Sequence, residues 1–128
     1  MRGSELQEWT AIWRAMDPRT KFEIIEHASE SYVAGILDGE VVATCLLVPE
    51  AAVVRMKRVA VASSSQGGGI GTHVLQFCEA HARSIGASTL TAHARETAVR
   101  FYANNGCATE GEYFEEAGIP HVAVRKHL

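Results

Sequence analysis

Apolar residues recur at two spacings along this chain, and each spacing predicts a different secondary structure. Over residues 5–16 they follow the period of an α-helix, which Pro18 would stop. The segment Lys21–Ala28 contains both an alternating Phe-Glu-Ile stretch and a helical spacing of apolar residues, so it fits either a strand or a short helix. We favour the helix for this segment.

The clearest strand pattern covers residues 31–49. Two apolar runs, 32–37 and 41–48, flank Asp38-Gly39, a pair suited to the positive φ angles of a type I′ turn. A third run, residues 52–62, follows after a short link. Three consecutive strands with short links predict an antiparallel meander.

The remaining sequence alternates between helical and strand patterns. Helical spacing predicts a helix over residues 70–85, and Gly86 is suited to end it. The later patterns predict a strand over 88–94, a helix over 97–104 and two final strands over 107–114 and 121–126.

Composition and charge narrow the classes of protein that need to be considered. A chain of 128 residues is expected to form one domain, 1–128, in which residues 1–4 resemble an expression-vector leader. The net charge of −3 disfavours a nucleic-acid partner, because binding phosphate backbones requires a basic face. We find no apolar run that could span a membrane and no signal peptide, so we predict a cytoplasmic protein without a membrane partner.

The cysteines give no sign of a disulfide framework or a zinc site. Cys45, Cys78 and Cys107 are odd in number, and no C-x-x-C motif occurs. Their apolar surroundings predict small buried side chains, so no metal is expected.

Residues 58–72 place a short strand, a glycine-rich loop and a helix start in succession. Glycines let backbone N–H groups point into one hollow, and a helix start adds unpaired N–H groups and a positive dipole end, which together can seat a phosphate or pyrophosphate. A Walker loop is excluded because no Lys follows the last glycine, and a dinucleotide fingerprint because Thr72 and Val74 stand where a third glycine is needed. The pattern that remains is Gln66-x-x-Gly69-x-Gly71, and a flexible turn without a ligand is the alternative interpretation.

Three motifs resemble those of the GNAT superfamily of N-acetyltransferases. The glycine pattern resembles its Q/R-x-x-G-x-G/A signature, and Ala98-x-x-Phe101-Tyr102-x-x-x-Gly106 resembles its A-x-x-F-Y-x-x-x-G-F motif. Residues 111–121 are similar to the G-E-x-F-x-E-x-G-I-P-H tail of a small bacterial subgroup. The resemblance implies an α/β fold with a mixed, mostly antiparallel sheet that is flanked by helices and splayed at the cofactor site.

The resemblance also implies acetyl-CoA as a co-substrate. The backbone of Val59, Ala60 and Val61 would meet the pantetheine arm as though the arm were an added strand. Arg58 would contact a cofactor phosphate or be a surface charge, and Arg95 stands where the family often has an Asn that touches the cofactor arm. The pyrophosphate would bind at Gln66, Gly67, Gly68, Gly69, Ile70, Gly71 and Thr72.

The same resemblance assigns the general acid to Tyr102, whose phenol could protonate a departing thiolate. Phe101 would then take the core face of the helix and Tyr102 the wetter one. The base that deprotonates the acceptor is left open among His121, Glu112, His93 and a chain of waters.

The implied function is transfer of an acetyl group from acetyl-CoA to a primary amine by direct attack in a ternary complex. A non-catalytic module that binds CoA, and ping-pong transfer through a cysteine, are the alternatives. The acceptor would be a small-molecule or peptide amine, and a partner chain in a homodimer could complete the site. The acidic tail, if it surrounds the acceptor mouth, would favour a cationic acceptor; otherwise it is a solvated hairpin tip (Glu110, Glu112, Glu115 and Glu116).

Overall fold

The computed structural model describes residues 20–27, 29–62 and 69–128. The helix predicted over residues 5–16 lies outside the described residues. So do three positions of the predicted phosphate seat, Gln66, Gly67 and Gly68.

The described strands form one seven-stranded mixed sheet in the order β1-β2-β3-β4-β5-β7-β6. Neighbouring strands are antiparallel except β4 and β5, which are parallel. The predicted mixed, mostly antiparallel sheet is therefore confirmed. The strands are β1 (Thr20–His27), β2 (Glu30–Leu37), β3 (Glu40–Glu50), β4 (Val53–Val61), β5 (Thr89–Arg95), β6 (Ala108–Glu116) and β7 (Ile119–His127).

Strand β1 corrects the helix that the sequence pattern favoured for Lys21–Ala28. Every residue of β1 has a register partner on β2, from Thr20 opposite Leu37 to His27 opposite Glu30. Phe22 is buried while Ile25 is 63% exposed, so the alternating period of a strand prevails over the helical spacing. Pairing with a neighbouring strand decides between the two patterns.

The turn between β2 and β3 confirms the hairpin prediction. Asp38 and Gly39 have φ angles of 51° and 80°, the two positive values that a type I′ turn needs. Pairing of β2 with β3 and of β3 with β4 completes the meander.

Two described helices contribute side chains to one hydrophobic core. They are α1 (Ile70–Ser84) and α2 (Val99–Asn104), and a 3₁₀ turn over Glu96–Ala98 leads into α2. Gly86, with φ 88°, follows the end of α1 as predicted. Among the described helices, none is both long and apolar enough to cross a membrane.

A β-bulge in β4 reverses which of its side chains face the core. Thr44 of β3 pairs with Ala60, but Leu46 pairs with Lys57, so β4 contains one residue more than β3 over this stretch. Arg58 takes up the extra length with a φ angle of 54°. Val54 and Met56 are buried before the bulge, whereas Val59 and Val61 pack against the core after it.

The parallel pair β4–β5 opens part-way along its length. Register partners run from Val53–Thr89 to Met56–Ala92, and none follows between the later residues of these strands. The edge of β4 over residues 57–60 consequently has no strand partner on the β5 side within the described part of the chain. A strand edge of this kind offers free N–H and C=O groups to an extended ligand.

Candidate active site

The opening between β4 and β5 leads into a cavity of about 470 Å³, here called the His93 cavity. Five consecutive residues of β4, Arg55–Val59, and four of β5, Ala92–Arg95, line it. Successive strand residues point to opposite sheet faces, so a cavity lined by consecutive residues passes between the strands rather than lying on one face. The cavity thus occupies the splay itself.

A second cavity, of about 570 Å³, lies at the start of α1 and is here called the glycine-loop cavity. Gly69, at φ 82°, is the N-cap of α1, and none of the described side chains caps the helix. The first-turn N–H groups of α1 are therefore available to an anion. An added Cβ at Gly71 would lie 3.2 Å from Phe101 Cε1, so glycine there allows α2 to approach the helix start closely. The lining residues include Val59, Val61, Gly69, Gly71, Thr72 and Phe101.

Tyr102 lines both cavities, together with Val59 and Ala98. Its side chain is only 6% exposed, and its ring makes an edge contact with Phe101 at a centroid distance of 5.2 Å. Burial, helped by Cys45 and other neighbouring cysteines, raises the pKa of Tyr102 to about 12. Tyr102, which lines both cavities, therefore keeps its phenolic proton at neutral pH.

On the far wall of the His93 cavity, one carboxylate lies between two imidazoles. Glu116 Oε1 is 3.0 Å from His93 Nδ1, and Glu116 Oε2 is 3.5 Å from His121 Nε2. The hydrogen bond with His93, aided by nearby charges that include Arg55, holds the pKa of Glu116 below its ordinary value. Glu116 is accordingly a carboxylate throughout the neutral range.

The contacts of the two imidazoles fix their hydrogen positions differently. Arg55 Nη2 lies 2.8 and 3.1 Å from Nδ1 and Nε2 of His93. Because a carboxylate only accepts and a guanidinium only donates, we assign His93 Nδ1–H to Glu116 and leave its Nε2 accepting from Arg55. His121 Nδ1–H donates to the Ile119 carbonyl at 2.7 Å, so in the neutral form of His121 the lone pair is on Nε2. Among the described residues, no cationic side chain donates a hydrogen bond to His121 Nε2, whereas Arg55 donates one to His93 Nε2.

Phe114 covers this cluster on the β6 side. Its ring makes an edge contact with His93 at 5.0 Å and stacks on His121 at 6.2 Å. The contacts restrict both imidazoles to one orientation.

The comparisons with known proteins agree with this architecture. The family model described as the acetyltransferase (GNAT) family matches residues 1–107. The chain belongs to the acetyltransferase (GNAT) family. It is therefore an acyl-CoA-dependent N-acyltransferase of the GNAT type.

Solved structures of GNAT proteins share the fold at low sequence identity. A protein from Lactobacillus plantarum assigned as an N-acetyltransferase is 24% identical, with 100% of this chain and 93% of that one covered and a TM-score of 0.74. A GNAT family acetyltransferase from Elizabethkingia anophelis, solved with acetyl-CoA bound, is 14% identical over 88% and 100% of the two chains, with a TM-score of 0.74. PaiA N-acetyltransferase from Thermoplasma acidophilum, in complex with coenzyme A, is 14% identical over 78% and 62%, with a TM-score of 0.68.

The predicted cofactor residues of this GNAT protein fall into three groups. Five line the glycine-loop cavity: Val59, Val61, Gly69, Gly71 and Thr72. Arg58 and Arg95 line the His93 cavity instead, on the other side of Tyr102. Ala60 is exposed on β4, and Ile70 is buried in the core, so Ile70 can contribute only its backbone to a phosphate seat.

The predicted roles of Phe101 and Tyr102 are reversed with respect to burial. Tyr102 is the buried member of the pair and Phe101 is half-buried. The expectation that Tyr102 is the wetter one is wrong, since Tyr102 is enclosed by the core on every side except the two cavities.

Among the residues considered as bases, the structure brings His93 and His121 together and leaves Glu112 apart. Glu112 is exposed in the irregular stretch of β6 between Glu110 and Phe114, and it does not line the His93 cavity. Glu116 occupies the place between the imidazoles. Since β6 departs from regular pairing at residues 111–113, counting along the strand could not identify which glutamate faces inward.

Sequence reasoning also missed Arg55 and Lys57, which line the His93 cavity from β4. A signal was present: they alternate with the apolar residues Val54 and Met56, and charged residues in alternation mark the second face of a strand. The bulge also has a signal in the sequence, because the apolar positions of β4 shift from even-numbered residues, up to Met56, to odd-numbered residues, from Val59 onward.

The three cysteines lie in the core and line neither of the two cavities. Cys45, Cys78 and Cys107 are free and buried. The pKa of Cys78 is raised by its hydrogen bond with Cys45 and by burial, and burial raises the pKa of Cys107. A reactive cysteine requires a lowered pKa, and neither Cys78 nor Cys107 has one. In the described residues, no group of three or more potential metal ligands is found.

Proposed function

We propose that this GNAT protein transfers the acetyl group of acetyl-CoA to a primary amine by direct attack in a ternary complex. The observation that carries the proposal is the junction of two cavities at Tyr102. One cavity has the features of a phosphate and pantetheine site, and the other has a basic imidazole.

The glycine-loop side suits the co-substrate. The first-turn N–H groups of α1 can hold the pyrophosphate, and the edge of β4 near Val59 and Ala60, which has no strand partner on the β5 side in the described chain, can hydrogen-bond the two amides of pantetheine. The GNAT relatives from Elizabethkingia anophelis and Thermoplasma acidophilum were solved with acetyl-CoA and coenzyme A, which supports the same ligand class here.

The His93 side suits the amine. In this proposal His121 Nε2 accepts a proton from the acceptor nitrogen, and Glu116 stabilises the imidazolium that forms. Bringing both reactants to one junction lowers the entropic cost of the reaction.

Tyr102 completes the transfer. The amine nitrogen forms a bond to the acetyl carbon while the carbon–sulfur bond breaks, and Tyr102 gives its proton to the departing thiolate. The resulting phenolate is neutralised when the proton held by His121 returns through solvent. A raised pKa keeps the phenol protonated until sulfur becomes anionic.

Two measurements test the proposal together. Isothermal titration determines acetyl-CoA affinity, and a thiol assay follows CoA release with a panel of amines. We expect binding, release of CoA only when an amine is present, and no acetylated protein by mass spectrometry. Binding without turnover would favour the non-catalytic module, and an acetylated protein in the absence of amine would favour ping-pong transfer.

That the chain forms a single domain, is located in the cytoplasm and forms a homodimer are predictions from the sequence. We propose in addition that the acceptor is a small-molecule or peptide amine.

A further inference from the structure

The His93 cavity is strongly cationic in a protein whose net charge is −3. Four permanently charged cations line it, against a single carboxylate, Glu116. Three of the cations come from β4 and one from the end of β5: Arg55, Lys57, Arg58 and Arg95. The acidic tail predicted to surround the acceptor does not balance them, because Glu110 pairs with Arg125 at 2.7 Å and the other tail residues except Glu116 do not line the cavity.

Glu116, the one carboxylate that lines the cavity, already has partners within the protein. Glu116 accepts a hydrogen bond from His93 and lies beside His121, and Arg55 contacts His93. Lys57, Arg58 and Arg95 form no ion pair or side-chain hydrogen bond with any described residue. The cavity thus presents three unbalanced cations to whatever enters it.

These cations lie apart from the seat expected for the cofactor phosphates. Gly69, Gly71 and Thr72 line the glycine-loop cavity, and none of them lines the His93 cavity. Arg95 is the register partner of His121 across β5 and β7, so the two side chains share one face of the sheet. A cation is therefore adjacent to the imidazole that would receive the proton of the amine.

We infer that the acceptor carries an anionic group, a carboxylate or a phosphate, near its amine. This inference rests on the proposed function for the location of the amine. Arg95 and Lys57 bind the anionic group while His121 faces the nitrogen. A guanidinium matches a carboxylate or phosphate with two parallel hydrogen bonds, and the half-buried Lys57 lines the same cavity as the exposed Arg95. The cationic acceptor suggested by the acidic tail is replaced by a zwitterionic one.

The test uses amines in matched pairs that differ only in the anionic group. The pairs are β-alanine with β-alaninamide, lysine with lysinamide, and O-phosphoethanolamine with ethanolamine. Titration of each compound into the full-length protein saturated with CoA measures affinity without any need for turnover. We expect the anionic member of at least one pair to bind about tenfold more tightly, with the preference declining as salt is raised. The carboxylate and phosphate pairs distinguish the two anions.

Variants locate the effect in the cavity. Arg95→Gln and Lys57→Gln should each weaken the anionic member about tenfold and change the neutral member less than threefold, and Arg95→Lys should restore part of the affinity. Lys21→Gln is the control, because Lys21 is an exposed cation of β1 outside both cavities.

The outcomes separate the inference from the proposed function. If no anionic amine binds better than its neutral partner, the inference is overturned, whether or not CoA is released. If neutral amines are acetylated as well as anionic ones, the inference fails while the function stands. If anionic amines bind selectively but no amine is acetylated, the function fails and the cationic cavity keeps its role in ligand selection.

Discussion

Tyr102 illustrates how one residue depends on two environments. Tyr102 belongs to the core cluster and also lines two cavities. Replacing the residue by Phe keeps the buried ring and removes only the oxygen and its proton. This substitution therefore separates the chemical role from the packing role.

For Tyr102→Phe we expect turnover to fall by about 10²–10⁴ when chemistry limits the rate. The dissociation constant of acetyl-CoA should change little, because the phenol matters most once sulfur is anionic. Steady-state kinetics and titration on one amine provide both numbers. Tyr113→Phe, at a residue that is 54% exposed on β6, is the control. Turnover within threefold of wild type would remove Tyr102 from the mechanism.

The raised pKa of Tyr102 adds a pH criterion to the same experiment. A phenol with a pKa of about 12 stays protonated throughout an ordinary assay range. Ionisation of Tyr102 should therefore cause no decline in the wild-type rate below about pH 10, which is about two units below the pKa of the phenol. A decline near pH 9 that disappears in Tyr102→Phe would contradict the burial of this group.

His121 and Glu116 form the second prediction at this scale. His121→Ala should lower kcat/KM by about 10²–10⁴, and Glu116→Gln by about tenfold, because Glu116 acts on the imidazole and not on the substrate. Glu112→Gln should keep wild-type kinetics, since Glu112 lies outside the cavity. A larger loss in Glu112→Gln than in Glu116→Gln would return the role to the residue suggested by sequence alone.

At the scale of elements, the start of α1 carries the phosphate seat. Gly69 and Gly39 have nearly equal φ angles, 82° and 80°, and an added Cβ would meet no atom within 4 Å at either position. The two glycines therefore share the same backbone strain on substitution, and of the two only Gly69 lines either of the two cavities described above.

Gly69→Val should weaken acetyl-CoA binding tenfold or more, as expected for losing one or two hydrogen bonds to a charged group. Gly39→Val should leave that affinity unchanged. Both variants should lose a similar stability, about 1–2 kcal/mol from left-handed strain. Titration with acetyl-CoA and urea unfolding of both variants make the comparison. Equal cofactor affinity in a folded Gly69→Val would mean that the loop does not hold phosphate.

The elements also show where local sequence patterns suffice. The Asp38-Gly39 turn and the stop at Gly86 depend on backbone conformations that few residues adopt, so the sequence predicts them directly. The apolar residues of Lys21–Ala28 fit both the alternating period of a strand and the period of a helix. Pairing with β2 is what makes this segment a strand. The change of phase between Met56 and Val59 signals a bulge in β4, but the pairing with β3 is needed to place the extra residue.

At the scale of the whole molecule, the candidate site combines what is local and what is not. The glycine loop and Tyr102 lie in contiguous motifs, so their residues are recognisable in the sequence. The cluster of Arg55, His93, Glu116 and His121 joins four strands, and it exists only because β7 inserts between β5 and β6. The tail motif contains Glu116 and His121 on one hairpin, but no spacing along the chain brings Arg55 and His93 to them.

The elements around the site are also joined by an ion pair that is largely withdrawn from water. Lys126 Nζ of β7 donates to Glu79 Oε1 of α1 at 2.7 Å and to the Asn105 carbonyl after α2 at 2.8 Å. The side chains of Lys126 and Glu79 are only 24% and 8% exposed. The neighbouring pair of Arg125 with Glu110 has the same 2.7 Å separation, but its side chains are 39% and 57% exposed.

These two pairs provide a matched test of how burial sets the strength of an ion pair. Lys126→Met keeps most of the aliphatic stem but leaves Glu79 buried without its cation, so it should lower the free energy of unfolding by about 2–3 kcal/mol. Arg125→Met breaks a solvated pair of equal length and should cost at most about 1 kcal/mol. Urea unfolding at neutral pH measures both.

Because Lys126 joins α1, the end of α2 and β7, its loss should also increase hydrogen exchange in these three elements, whereas the loss of Arg125 should not. Equal losses of stability in the two variants would show that burial does not strengthen the Lys126 pair.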